Sequence, residues 1–470
     1  MKEECGVAGV VLHNKTPESN ISAFQIYYSL YALQHRGQES TGIAIHDGTK
    51  MHTIKGMGLV PDVYDRELIS KIYGNVGIGH VRYSTKGTST IENCQPFVVK
   101  FKDGDIGVAH NGTLVNGDEI RSELKAEGHV TLTDSDTEVI AHLLVKELLK
   151  REPVDALHAV MHRLVGSYSI VVLINDILFA ARDPLGIKPL CIGTIEGGHI
   201  IASESVAIDT INGVLERDVK PGEIIFFKDG KIQSHQAFHE KHSAHCVFEY
   251  IYFARPDSII DGKLVYNVRK QIGVELAQEY PSDVDVIIPV PDSGITSAIG
   301  YSNESDIEYC EGLMKNRYIG RTFILPGQEM RETAVRLKMN TIPENIKSKR
   351  VVLVDDSVVR GTTSRRIIDM VRKAGAKEVH ARIGSPPIIA PCYLGIDMST
   401  REELIAANNT LDRIKSVINA DSINFISIKG LVKSIGIDEN DLCIGCLTGK
   451  YRVDIPGEEY MDKQMKLDDF

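Results

Sequence analysis

Residue 5 of this 470-residue chain is a cysteine, set in Cys5-Gly6-Val7-Ala8-Gly9 behind only Met1–Glu4. A cysteine so placed can act as a nucleophile whose own α-amino group is the base, once the four-residue leader is removed. An α-amine titrates near pH ~7.7–8.0, so at neutral pH part of it is free to take a thiol proton. A second chemistry-bearing run is Val351-Val352-Leu353-Val354-Asp355-Asp356-Ser357-Val358-Val359-Arg360-Gly361-Thr362-Thr363. It reads as an apolar strand with two carboxylates at its end, a small-residue turn and a helix start. Ligands of open α/β sheets collect at the carboxyl ends of strands. Backbone N–H groups and hydroxyls at a helix N-terminus suit a phosphate. Adjacent carboxylates would repel that phosphate unless they hold sugar hydroxyls or Mg²⁺. The run therefore points to a phosphorylated sugar with vicinal hydroxyls. A third candidate is Cys443-Ile444-Gly445-Cys446, which with Cys246 and Cys392 could form a four-thiolate site. Spacing alone admits zinc, a redox dithiol or an iron–sulfur cluster.

The elements that must position these groups fall into two grammars. From Cys5 to about residue 240 the chain is rich in short β-branched runs: Val7–Leu12, Val76–His80, Ile106–His110, Ser169–Ile174, Ile177–Ala181, His199–Ser203 and Glu223–Phe227. Turn residues bound most of them. Helical periodicity appears at Ser22–Gln34 and Asp136–Lys150, the second opened by a capping box, Ser135-Asp136-Thr137-Glu138. Two packed antiparallel sheets covered by helices fit this order. A polar stretch with His239, His242 and His245 then reads as a solvated linker rather than a metal site. Beyond it, apolar strands at Val284–Val290 and Val351–Val354 alternate with helices at Tyr266–Tyr280 and from Thr362 to about Ala374. Strands apolar on both faces indicate a parallel α/β sheet. The segment from about Thr400 reads as mostly helical, with an acidic tail over Gly457–Phe470.

Length alone suggests two domains. A formal net charge of −11, with 25% charged and 43% hydrophobic residues, argues against nucleic acid as a main partner without excluding small anions in a local positive pocket. No run of 18 apolar residues and no signal-peptide core occur, so a cytoplasmic protein with no membrane association is expected. Eight cysteines are too few for a disulfide scaffold, and Cys94, Cys191 and Cys310 read as ordinary packed thiols.

The Asp355–Thr363 run resembles the signature of type I phosphoribosyltransferases. The resemblance implies a site for 5-phosphoribosyl-1-pyrophosphate, with Asp355 and Asp356 on the ribose hydroxyls and Ser357, Arg360, Gly361, Thr362 and Thr363 around the 5′-phosphate. Pro291-Asp292-Ser293-Gly294 looks like that family's pyrophosphate loop, with Ser293 joining Asp355 and Asp356 as candidates for Mg²⁺. Lys315–Ile324, with Arg321, is similar to the hood that closes over such sites. Cys5–Gly9 in turn resembles the opening of N-terminal-nucleophile glutamine amidotransferases. Four further motifs follow in that family's order: Gln34–Ser40, Gly79–Thr85, Ala109–Gly112 and Ser135–Glu138, with a structural turn at Arg182–Gly186.

Glutamine is a zwitterion, so its pocket needs a cation and an anion: Arg82 for the carboxylate and Asp136 for the ammonium. Asn111 and Gly112 are the implied oxyanion donors, each contributing about 3 kcal/mol in such sites. The surroundings of Cys246 and Cys392 resemble the [4Fe–4S]-containing branch of glutamine phosphoribosylpyrophosphate amidotransferases, where Cys246, Cys392, Cys443 and Cys446 would ligate a structural cluster.

The implied fold is an N-terminal-nucleophile αββα sandwich over residues 5–240. A phosphoribosyltransferase parallel-sheet domain over 247–400 and a C-terminal helical segment over 401–470 follow. The implied activity makes 5-phosphoribosylamine, glutamate and pyrophosphate from glutamine, phosphoribosyl pyrophosphate and water, at the first committed step of purine synthesis. Released ammonia would cross a water-poor passage formed when the hood closes. Inhibitory purine nucleotides and a homotetramer are further expectations of the family. A hexosamine-phosphate synthase would share the front half but lack the Asp-Asp-Ser…Gly-Thr-Thr run. A non-catalytic phosphoribosyl-pyrophosphate-binding regulator would have no use for Cys5, Arg82, Asn111 and Asp136.

Overall fold

The computed structural model describes residues 5–13, 20–83, 89–228, 230–316, 339–398 and 400–456. The leader Met1–Glu4, Ser84 and Thr85, Arg321 with most of the hood-like stretch, and the acidic tail lie outside the described residues.

Alternation of apolar and small residues builds two antiparallel sheets in the first half. One is ordered β11-β9-β10-β1-β4-β2-β3, from β1 (Gly6–Leu12), β2 (Ser40–His46), β3 (Met51–Met57), β4 (Val76–Arg82), β9 (Cys191–Ile195), β10 (Gly198–Ala202) and β11 (Val214–Asp218). The other is ordered β13-β12-β8-β7-β6-β5, from β5 (Phe97–Phe101), β6 (Gly104–Leu114), β7 (Gly166–Ile174), β8 (Ile177–Arg182), β12 (Glu223–Lys228) and β13 (Lys231–Gln236).

Three apolar layers hold this half together. Val7, Ile78, Ala109, Val171, Leu178 and Ile201 fill the space between the sheets. Helix Ile21–Ala32 packs Ala23, Ile26 and Leu30 on the outer face of the first sheet. Helices Gly117–Ala126, Asp136–Leu148 and Pro153–Met161 cover the second. Their order is the αββα sandwich expected. The start of helix Asp136–Leu148 differs from a capping box: Ser135 Oγ accepts from Thr137 N (3.3 Å), but Glu138 turns back to Leu132 N (2.7 Å) and Thr133 N (2.8 Å). Two loop amides outcompete the single amide of Ser135, which bonds Thr133 Oγ1 instead.

The second half is a parallel sheet of Val286–Pro289, Arg350–Asp355, Glu378–Ile383 and Ser422–Phe425, in that order. The last strand carries the sheet past residue 400. The C-terminal segment is therefore partly integral to this domain, with helices Leu411–Ile418 and Ile428–Ile435 flanking that strand. His245 is also not solvated: it sits half-buried on strand His245–Cys246, its Nδ1 2.9 Å from Asp261. Among the described residues no helix is long and apolar enough to cross a membrane.

Candidate active sites

The antiparallel register that pairs Gly6 with Val81 sets Cys5 beside Arg82 at one end of the first sheet. Cys5 is partly exposed, its thiol donates to Tyr83 O at 3.5 Å, and its carbonyl accepts from Arg36 Nε at 2.9 Å. Arg82 is nearly buried and its Nη1 donates to Glu39 Oε1 at 2.6 Å. Asn111 and Gly112 lie near the end of β6 in the facing sheet. Asp136 opens the adjacent helix, and its Oδ2 accepts from Leu114 N at 3.0 Å.

Two buried histidines join these pieces. His80 Nε2 donates to His110 O (3.1 Å), bridging β4 to β6, and His110 Nδ1 lies 3.4 Å from Thr137 Oγ1 beside Asp136. Burial lowers His80 to about 3 and His110 to about 4, so both are neutral at pH 7. Within this frame the Asn111 side chain is 1% exposed, and its Nδ2 has no hydrogen-bond partner among the described residues. Buried amide donors are almost always paired, so an unpaired one calls for an explanation. Gly112 follows with φ +144°, a conformation in which a Cβ would run into Ser167 O.

The sequence motifs contained Arg36 but assigned it no task. The structure buries it at the junction of the two halves, with Nη1 on Glu204 Oε1 (2.6 Å) and Nη2 on Glu249 Oε1 (2.6 Å). Burial alone would raise the Glu204 carboxyl. His35 and Arg36 outweigh it and hold Glu204 well below the usual carboxylate range. Glu249 opens a π-helical turn, Glu249–Phe253, whose Tyr252 reaches the second site. No local pattern exposes these contacts, because the partners lie 168 and 213 residues away.

That second site is a cleft of about 330 Å³ lined by Ser293, Asp355, Asp356, Ser357, Arg360, Gly361, Thr362 and Thr363. Its volume lies in the range of small-ligand sites, roughly 300–1,000 Å³. The carboxyl end of strand Arg350–Asp355 delivers the two aspartates, and helix Thr362–Lys373 starts across the turn. Ser293 Oγ and Ser357 Oγ both donate to the Asp356 carboxylate. Burial and the Asp356 charge raise Asp355 well above the ordinary carboxylate range. Arg360 points outward to Glu403 (2.7 Å), and Lys315 reaches Asp292 of the neighbouring loop (2.6 Å). Of the residues expected here, all but Arg321, which lies outside the described set, are brought together.

The four cysteines converge where the halves meet the C-terminal segment. Strands His245–Cys246 and Leu442–Cys443 pair in parallel with Cys246 opposite Cys443. Ile389 N and Ala390 N donate to Cys446 O at 3.0 and 3.1 Å, which ties the Cys392 segment to them. Burial, then Cys392, pushes the Cys443 thiol up to about 11, and Cys446 is raised further by burial and its three companions.

A thiol-bearing sandwich and a phosphosugar cleft in one chain define a glutamine amidotransferase fused to a phosphoribosyltransferase. Comparison with known families agrees: residues 80–210 match the glutamine amidotransferase domain and residues 257–383 the phosphoribosyl transferase domain. The chain is 52% identical to the amidophosphoribosyltransferase of Methanocaldococcus jannaschii (98% of this chain, 100% of that one) and 43% identical to that of Bacillus subtilis (98% and 96%). It superposes at a TM-score of 0.90 on the B. subtilis glutamine phosphoribosylpyrophosphate amidotransferase solved in complex with ADP and GMP, at 43% identity, covering 96% of this chain and 98% of that one. The chain belongs to the amidophosphoribosyltransferase family: it is a pentosyltransferase of purine biosynthesis that uses glutamine as the nitrogen source and phosphoribosyl pyrophosphate as the acceptor.

Proposed function

We propose that the residues gathered at the two sites divide the reaction as follows. Arg82 takes the glutamine carboxylate and Asp136 its ammonium, which places the side-chain amide over Cys5. With Met1–Glu4 removed, the Cys5 α-amine takes the thiol proton as sulfur attacks the amide carbon. The oxyanion that forms is met by Asn111 Nδ2 and the Gly112 N–H. Collapse of the adduct expels ammonia, which carries the proton away, and leaves a glutamyl thioester that water hydrolyses to glutamate. His80 and His110 stay neutral and hold the two sheets in register.

In the cleft, Asp355 and Asp356 accept from the ribose hydroxyls while the Ser357–Thr363 turn, with Arg360, surrounds the 5′-phosphate. Ser293 and its loop face the pyrophosphate. Ammonia then forms the bond to C1 as the C1–oxygen bond to pyrophosphate breaks. Two adjacent carboxylates, one driven toward its neutral form, fit a cation partner. Mg²⁺ held by Asp355, Asp356 and Ser293 would neutralise the departing pyrophosphate. Arg321 would join the residues that bind phosphoribosyl pyrophosphate, and the hood would keep the ammonia path between the sites free of water.

Four thiols from three separate segments, Cys246 and Cys446 buried and Cys392 and Cys443 partly so, fit a metal group, whose positive charge would stabilise their thiolates. The group proposed for them is a [4Fe–4S] cluster, on the resemblance of the Cys246 and Cys392 surroundings to the cluster-bearing branch of the family. Its place would be structural, tying the halves to the C-terminal segment. Cytoplasmic location, homotetrameric assembly and feedback by purine nucleotides complete the reading; the nucleotide complex of the B. subtilis relative supports the last.

The observation that carries the assignment is the buried, unpaired Asn111 amide beside Gly112. The test is glutamate release with and without phosphoribosyl pyrophosphate in the parent, Cys5→Ala and Asp355→Asn. Cys5→Ala should abolish release while ammonia-dependent synthesis persists, and Asp355→Asn should do the reverse to synthesis. An anaerobic iron and sulfide assay with N-terminal mass measurement tests cluster and leader removal together. Retained glutamine hydrolysis in Cys5→Ala would overturn the scheme.

A further inference from the structure

The segment that carries Cys392 also touches the turn that carries the oxyanion donors. Ser167, on β7 and wholly buried, donates its hydroxyl to Leu394 O at 2.7 Å. The same oxygen lies 3.4 Å from Thr113 N, the amide that follows Gly112. Next to Leu394, Gly395 has φ +104°, and a Cβ there would stand 3.3 Å from Gly112 Cα and 2.9 Å from Cε of the fully buried Lys188. A cleft of about 320 Å³ opens between Thr113–Val115 and the Cys392–Ile396 segment. Ladder pairing with β7 and the Leu114 N–Asp136 bond hold this end of β6 within its own half, and the Ser167 hydroxyl and the Gly395 contact join it to the Cys392–Ile396 segment.

We infer that Ser167 is a positioning residue for the glutaminase reaction, through which the Cys392–Gly395 segment holds the Gly112 N–H toward the oxyanion. The inference rests on the reading of Asn111 and Gly112 as oxyanion donors. A donor must sit about 2.7–3.1 Å from the developing oxyanion, and a misplacement of about 1 Å at a reacting centre can cost on the order of 100-fold. Losing the Ser167 hydroxyl removes the donor to Leu394 O and the side-chain contact to Thr113 N, whose ladder pairing with Ser167 remains, so the turn loses its tie to the Cys392–Gly395 segment.

The experiment compares Ser167→Ala and Gly395→Ala with the parent holoenzyme. Expected in each is a fall of about tenfold in kcat for glutamine hydrolysis, with KM for glutamine within about twofold. In Ser167→Ala ammonia-dependent synthesis, iron content and thermal midpoint should stay near the parent; Gly395→Ala, at φ +104°, should also lose thermal stability, so its kcat is read against its own ammonia-dependent synthesis. Alkylation of Cys5 by iodoacetamide forms no oxyanion, so its rate should also hold. A merely structural role would lower all of these together, and that result overturns the inference, as does an unchanged kcat in both variants. Asn111→Ala separates the two levels. If it too leaves kcat intact, the oxyanion reading itself fails; if it alone lowers kcat, only the positioning role of Ser167 fails.

Discussion

Asn111→Ala tests the site most sharply, because its effects on rate and on stability should part company. In the free enzyme the Asn111 amide N–H groups are buried and make no hydrogen bond among the described residues. An unsatisfied buried donor costs about 1–3 kcal/mol. Truncation removes that penalty while sacrificing packing of comparable size, so the variant should unfold within about 1 kcal/mol of the parent. In the transition state the same amide faces a full oxyanion, and removing one such donor costs roughly 10²–10³ in kcat, or about 2.7–4 kcal/mol. Steady-state glutamate release at saturating phosphoribosyl pyrophosphate measures the first quantity, and urea unfolding of the same preparation the second. Ammonia-dependent synthesis serves as the internal control, since it bypasses Cys5. A kcat within threefold of the parent, or a stability loss above about 3 kcal/mol, would mean that Asn111 is an ordinary structural amide.

Three other outcomes are expected. Arg36→Met strands Glu204 and Glu249 in the junction and should destabilise the protein by about 3–5 kcal/mol in denaturant unfolding; a loss below 1 kcal/mol would contradict the burial of that pair. His80 and His110 have folded pKa values of about 3 and 4, below the unfolded 6.5, so the unfolded chain binds the extra protons as pH falls. Their contribution is complete above about pH 6.5 and drops by about 2 kcal/mol each between pH 7 and 5, so His80→Phe should flatten the acid side of the stability profile by about that amount. Cys446→Ser should lower bound iron and sulfide and reduce stability, because the three remaining thiols, Cys443 among them raised by burial, then lose the charge that would hold them; iron retained at parent levels would reject the cluster.

Strands made of apolar and small residues throughout were legible because both faces of each are buried. Val76–His80 and Ser169–Ile174 fall inside fully buried strands. Two of the strands not read from the sequence lack that composition. Met51–Met57 mixes His, Thr and Lys with apolar residues because it is the exposed edge of its sheet, and an edge strand carries polar residues on purpose. Ser422–Phe425 is only four residues long, too short for a period of two to register against flanking helices. The Ser135–Glu138 motif announced a helix start correctly, but which amide Glu138 satisfies was decided by the Leu132–Thr133 loop folding back, a tertiary contact with no local signature.

The sites divide along the same physical line. The groups proposed to meet substrate sit on strand ends and turns, where such chemistry demands particular residue types in a short run, and that is what singles out Asp355–Thr363 and Ala109–Gly112 in the sequence. The groups that fix those runs in space come from distant segments and carry no such demand: Glu204, Glu249, Ser167 and Lys188 look like any polar residue in sequence. What marks them is burial, since a wholly buried Arg36 or Lys188 cannot be left unpaired without a penalty of several kcal/mol. The partner of a buried charge is set by topology rather than by spacing. Arg36 shows the consequence: its guanidinium holds the Cys5 carbonyl on one side and the Glu249 carboxylate on the other. The nucleophile and the turn that carries Tyr252 into the phosphosugar cleft therefore share one anchor, and displacing either end must strain the other.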